Sequence, residues 1–232
     1  MRSIVARLSG ALAVVACAAT LQAAGLLDSL TQKDAVSGLK TALTQGASTA
    51  IGKLGVADGF LGNPEVKIPL PGKLQEAKKL MDLVGLGPKA DELITTMNRA
   101  AEAAVPEAKP LLLDAVKQMS IQDAKSILTG GDDAGTQYFR RVTADKLRER
   151  FLPVVKRSTD KLQVASQYNS LAGQASKYGL VDAKDASIES YVTGRALDGL
   201  FLMMANEERA IRKDPMGQAS SLLKKVFGPV KQ

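Results

Sequence analysis

Histidine and tryptophan are absent from the 232 residues, and cysteine occurs once, at Cys17. Without histidine there is no Ser-His-Asp or Cys-His nucleophile. Zinc, copper or haem sites ligated by His or Cys are excluded in the same way, and no residue is assigned to a metal or a cofactor. The chemistries left open are acid–base work by Asp and Glu, a Ser–Lys pair, and Ca²⁺ or Mg²⁺ held by oxygen ligands. Aromatic residues are only 4% of the chain. A core must therefore be built from Leu, Val, Ile, Ala and Met, a palette that favours helix over sheet.

The first 24 residues read as a secretory signal. Arg2 and Arg7 supply the positive start, an apolar run follows from Leu8 to about Leu21, and Ala23-Ala24 offers a cleavage point before Gly25. The expected location is therefore the periplasm. The alternative is anchoring to the outer membrane through Cys17, because Val14-Val15-Ala16-Cys17 loosely matches a lipoprotein processing site. Against that alternative, the usual Leu is missing and Ala18–Ala24 is not a polar tether. Ordinary cleavage removes Arg2 and Arg7 and lowers the formal charge of +7 by two. That leaves a mildly basic protein, with too little charge for a dedicated nucleic-acid binder.

From Ser187 to Arg212 the chain carries Leu197, Leu200, Phe201, Leu202, Met203, Met204 and Ala205, which point in nearly every direction around a helix axis. A helix apolar all round is buried, yet this run falls short of the ~20 residues a membrane span needs. It is predicted to be the central helix, ending at Asp214-Pro215. Leu39, Leu43, Ala47, Ala50, Ile51 and Leu54 give helical spacing over Leu26–Leu54, with interruption expected at Gly38, Gly46 or Gly52. Residues 55–72 are rich in Gly and Pro and rule out regular helix. Val66 to Leu70 is expected to lie extended on the surface of the bundle.

Further helices are predicted over Lys73–Val84 with its stop at Gly85, from Pro88 to about Val105, and from Pro106 to about Met119. Others are expected over Ile121–Leu128 after a Ser120/Asp123 capping box, over Thr143–Arg157 with a kink at Pro153, and from Leu162 to Tyr178. A last short helix carries Leu222 to Phe227. Asp132 or Asp133 is expected to cap a turn through Tyr138-Phe139. The fold class that follows is all-α: a single compact multi-helix bundle around a buried helix in the C-terminal half, with residues 25–232 forming one domain.

Several stretches carry a family resemblance. They are Gly38-Leu39-Lys40 with Ala42-Leu43, Ile68-Pro69-Leu70-Pro71, Asn98-Arg99-Ala100-Ala101-Glu102 and Ile121-Gln122-Asp123-Ala124. Gly130-Gly131-Asp132-Asp133-Ala134 and Ala196-Leu197-Asp198-Gly199-Leu200-Phe201 with Glu207-Glu208 complete the set. Together they resemble DUF4197, a family of bacterial exported proteins of unknown function. The resemblance covers nearly the whole mature chain and implies export. It brings no activity, ligand or catalytic residue with it.

Four constellations bear on function. Asn98 and Glu102 edge one apolar helix face, Arg195 and Asp198 edge another, and Arg195 is placed to bridge Asp198 and Glu102 across a helix contact. That cluster reads either as an ion pair fixing helix register or as a pocket for a small anionic or zwitterionic ligand. The basic run Arg140, Arg141, Lys146, Arg148 and Arg150 straddles Leu147, Phe151 and Val154. It suits a solvated face or an anionic surface, and without interleaved aromatics it does not suit nucleic acid. Gly130 to Thr136 pairs glycines with Asp132 and Asp133 but matches neither a calcium loop nor a phosphate loop, so it reads as a helix stop followed by a cap. Glu207 and Glu208 beside Arg209 and Arg212 read as surface pairing.

The functional expectation is a non-enzymatic exported helical protein of the bacterial cell envelope with a binding or scaffolding role. Its partner would be an envelope protein or anionic lipid. The alternatives are a carboxylate-dependent envelope hydrolase using Glu102 and Asp198, and a carrier of lipid or another apolar ligand lined by Met97, Met203 and Met204.

Overall fold

The computed structural model describes residues 16–214, apart from 73–74, 77–81, 84, 86, 161, 178–181 and 183–185. Side chains are described from residue 33 onward, those of 164, 171 and 174–176 excepted. Residues 1–15 of the expected signal, the side chain of Cys17, most of the helix expected over 73–84 and the short helix expected after Pro215 lie outside the described residues.

The described helices are α1 (Ala16–Leu54), α2 (Gly87–Ala104), α3 (Ala108–Gln118), α4 (Ile121–Leu128), α5 (Ala134–Thr159), α6 (Gln163–Lys177) and α7 (Ile188–Lys213). A short 3₁₀ turn, Val105–Glu107, joins α2 to α3. Among the described residues there is no strand, and the helices pack into an all-α bundle. α7 lies against α5, α2 and α1, and α5 also packs on α2 and α3.

Helix boundaries follow local chemistry. Ser120 and Asp123 form the capping box that opens α4. Ser187 accepts from the Ser190 N–H at the start of α7, and Gly85 takes φ +77, a conformation that ends a helix at little cost. Two predicted interruptions do not occur. α1 runs unbroken through Gly38, Gly46 and Gly52. Burial of Leu39, Leu43, Ala47, Ala50 and Leu54 offsets the helix cost of the glycines, and Gly46 lies close to Glu207 and Ile211 of α7. α5 is a single helix from Ala134, continuous through Pro153, where a turn and a separate helix were expected.

The segment from Gly55 to Pro71 departs further from expectation. Val66, Ile68 and Leu70 are buried while Lys67 and Pro69 between them are exposed, so the extended piece is driven into the bundle by alternate side chains. Phe60 is fully buried as well. Burying such a side chain contributes about 1.5–3 kcal/mol, and the surface position expected for this stretch would forfeit that. We refer to this segment as the strap. Gly199 of α7 admits it: a Cβ there would stand 2.7 Å from the Phe60 ring.

α7 is the central helix, but it is not enclosed on every side. Leu197, Leu200, Phe201, Met203, Met204 and Ala205 are buried, whereas Leu202 keeps 39% of its surface. Arg195, Asp198, Leu202, Arg209 and Lys213 recur three to seven residues apart and form one exposed stripe. The all-round apolar pattern missed this stripe because a single Leu between Asp198 and Arg209 hides its polarity.

Candidate functional site

Asn98 and Glu102, one turn apart on α2, hold the strap. The Asn98 side chain accepts from Ile68 N–H at 2.8 Å and donates to Ile68 C=O at 2.9 Å. Its NH₂ also reaches Ile94 C=O. Glu102 Oε1 accepts from the N–H groups of Phe60 and Leu61 at 3.0 and 3.1 Å, and Oε2 pairs with Arg99 at 2.7 Å. Arg99 in turn reaches Asp58, which holds φ 65 at the strap's turn. Glu102 first and Asp58 second keep the Arg99 pKa above its ordinary value by bonding its charged form.

These partners correct the expected cluster. Arg195 does not bridge to Glu102, whose two oxygens are already taken by two backbone amides and Arg99. Glu102 is buried and Asp198 is exposed and paired with Arg140, so the two carboxylates face no common cleft. The hydrolase alternative required one. The carrier alternative fares no better, since Met97, Met203 and Met204 are buried in the core and the gap beside Met204 is about 20 Å³. An apolar ligand needs roughly 300 Å³ or more.

Glu208 is likewise misplaced by the sequence reading. It is buried, and its carboxylate caps the first turn of α5, accepting from Gly135 N–H at 2.9 Å and Thr136 N–H at 2.8 Å. Asp133 makes no side-chain cap there. Arg212 bonds Glu208 Oε1 and also donates to Ile127 C=O. At the far end of the same helix pair, buried Glu189 accepts from Thr159 and Asn169, and Asn169 accepts from Ile188 N–H. Neither Glu189 nor Asn169 was singled out from sequence; a Glu in the first turn of a helix is too common to mark a buried site.

Between these two anchors α5 and α7 run antiparallel, and a cleft of about 270 Å³ opens along their exposed seam. Arg140, Ala144 and Arg148 line it from α5. Tyr191, Gly194, Arg195, Asp198 and Phe201 line it from α7. The Arg140 guanidinium lies 4.6 Å from the Phe201 ring centre, and that of Arg195 lies 5.3 Å from Tyr191. Arg140 also meets Asp198 at 3.4 Å. Among the described residues Arg148 has no ion pair or hydrogen bond, and Arg195 has only its ring contact. Tyr191 is fixed from behind, because its hydroxyl donates to Pro69 C=O of the strap.

The structure thus joins Arg195 and Asp198 to Arg140 and Arg148 from the basic run, and leaves Asn98 and Glu102 with the strap. Arg141 sits over Tyr138 and pairs loosely with Asp123, while Lys146 and Arg150 are exposed without lining the cleft. Ordering a guanidinium on a ring fixes its plane and leaves the N–H rim free to donate, which suits an oxyanion. No three acidic side chains converge in metal-binding geometry among the described residues. No helix among them is long and apolar enough to cross a membrane.

An all-α bundle with a basic, aromatic-floored seam is the class that fold and site define. The family profile described as "Protein of unknown function (DUF4197)" matches residues 29–228. The chain belongs to that family. No curated protein and no solved structure matches it.

Proposed function

We propose that this is an exported, non-enzymatic helical protein of the bacterial cell envelope that binds a small anionic ligand in the seam between α5 and α7. The observation that carries the reading is the convergence of Arg140, Arg148 and Arg195 on one cleft that contains a single carboxylate, Asp198. Export is supported by the signal-like residues 1–24. A binding role is favoured over scaffolding because the cleft gathers three guanidiniums around one carboxylate, an excess of charge that a scaffold does not require.

The test is calorimetry of the purified protein against a panel of small inorganic and organic anions at low ionic strength. Arg148→Gln is expected to weaken binding at least tenfold with no change in melting temperature. Lys146→Gln and Arg150→Gln, on the same helix but outside the cleft, are expected to leave it unaltered. Absence of binding to every anion, or equal losses in all three variants, would defeat the assignment of the cleft. N-terminal sequencing of the protein recovered from fractionated cells tests export, and an intact Met1 in the cytoplasmic fraction would contradict it.

A further inference from the structure

Resting on that anion-binding reading, we infer that the group the cleft is built to hold is a phosphomonoester dianion. The first ground is charge. Arg140, Arg148 and Arg195 face the space together with Asp198, which leaves two positive charges uncompensated by the lining. A phosphomonoester carries about −1.5 to −2 near neutral pH, because its second ionisation lies near pH 6. A simple carboxylate, a sulfate ester or a phosphodiester carries one charge and leaves one guanidinium without a partner.

The second ground is the direction of the donors. Arg140 and Arg148 approach from α5 and Arg195 from α7, so the guanidiniums stand on both walls. Phe201 and Tyr191 hold two of them by their faces. Donors therefore come to the space from two helices instead of being collected on one. A group with three equivalent terminal oxygens can meet donors on two walls at once, whereas a planar carboxylate presents two oxygens in one plane.

The third ground is size. A space of about 270 Å³ corresponds to roughly nine waters at about 30 Å³ each. It accommodates a phosphate with a short organic arm. Gly194 lines the same space, and a Cβ there would meet only the Arg148 guanidinium at an ordinary 4.0 Å, so a side chain longer than Ala is needed to fill it. The phosphomonoester could belong to a free metabolite or to the headgroup of an envelope lipid, and the shared chemistry is the terminal dianionic phosphate.

Glycerol 3-phosphate, methyl sulfate and a glycerol phosphodiester are the probes for calorimetry with the full mature protein. Glycerol 3-phosphate is expected to bind at least tenfold more tightly than either singly charged probe. Between pH 7.5 and 5.5 its affinity is expected to fall about fourfold as the dianion is depleted. Methyl sulfate binding, measured over the same range, reports any contribution from the groups that face the ligand, namely Arg140 and Arg148 of α5 and Tyr191, Arg195 and Asp198 of α7.

Vesicles containing phosphatidic acid, compared with vesicles containing phosphatidylglycerol, distinguish a lipid source. Selective binding to phosphatidic acid that is lost in Arg148→Gln and Gly194→Leu supports the monoester on a headgroup. Equal affinity for methyl sulfate or the diester, or a pH dependence no steeper than that of methyl sulfate, would overturn the phosphomonoester while leaving an anion cleft in place. If none of the probes nor any anion of the wider panel binds, the cleft assignment itself falls.

Discussion

Asn98 treats Ile68 as a neighbouring strand would, accepting from its N–H and donating to its C=O at 2.8 and 2.9 Å. Both groups are buried with it, so the carboxamide substitutes for the ladder that an isolated extended segment lacks. Asn98→Ala strands a donor and an acceptor, each costing about 1–3 kcal/mol when buried unpaired. The expected loss is about 3 kcal/mol, seen as a lower urea midpoint with unchanged slope. A loss under 1 kcal/mol would mean that the strap is held by its apolar side chains alone.

Glu208 and Arg212 form a different kind of lock. Removing the carboxylate takes the acceptor from the Gly135 and Thr136 amides and the anionic partner from a mostly buried guanidinium, which keeps its bond to Ile127 C=O. Glu208→Ala is expected to cost on the order of 3–5 kcal/mol. Because Arg212 then loses the carboxylate it bonds at 2.9 Å, the Glu208→Ala/Arg212→Ala double variant should be more stable than the sum of the single losses predicts. A double-mutant cycle by thermal unfolding measures that coupling, and strict additivity would refute it.

Two helical glycines should respond with opposite signs. Gly199→Ala places a Cβ 2.7 Å from the Phe60 ring and 3.3 Å from Val66, so it is expected to destabilise by about 1–3 kcal/mol. Gly52 is exposed in α1 and a Cβ there meets nothing within 4 Å. Gly52→Ala is expected to stabilise by about 0.5–1 kcal/mol through helix propensity and reduced freedom of the unfolded chain. Differential scanning calorimetry of the two variants decides the point.

The capping box of α4 predicts a pH response. The Ser120 hydroxyl, then its backbone N–H, bond the ionised Asp123 carboxylate and hold its pKa below the usual carboxylate value, with Arg141 adding to the effect. A depressed folded-state pKa means that the stabilisation is present above the unfolded value and is lost as pH falls through the folded one. Titration of the Asp123 carboxyl by NMR should therefore give a low midpoint. Ser120→Ala should raise it, and an unchanged midpoint in that variant would exclude the hydroxyl as the main cause.

Much of the fold was legible because helices are written in local terms. The 3.6-residue spacing of Leu39, Leu43 and Ala47, the Ser120–Asp123 box and the Gly85 stop each act within one or two turns, so a linear reading reaches them. The strap was misplaced because Val66, Ile68 and Leu70 look the same on a surface as in a core until Asn98 and Glu102, 30 to 42 residues away, are seen to satisfy the backbone beside them.

Composition and local pattern alone determined that this chain is helical, lacks histidine chemistry and carries a signal-like start. Which charged residues are structural and which remain free was decided only in three dimensions. Glu102, Glu189 and Glu208 are consumed by distant amides and hydroxyls, whereas Arg148 and Arg195 line the α5–α7 seam with no carboxylate of their own. A buried charge is tolerated only where partners converge on it. That convergence depends on how helices cross, which no spacing along a single helix encodes.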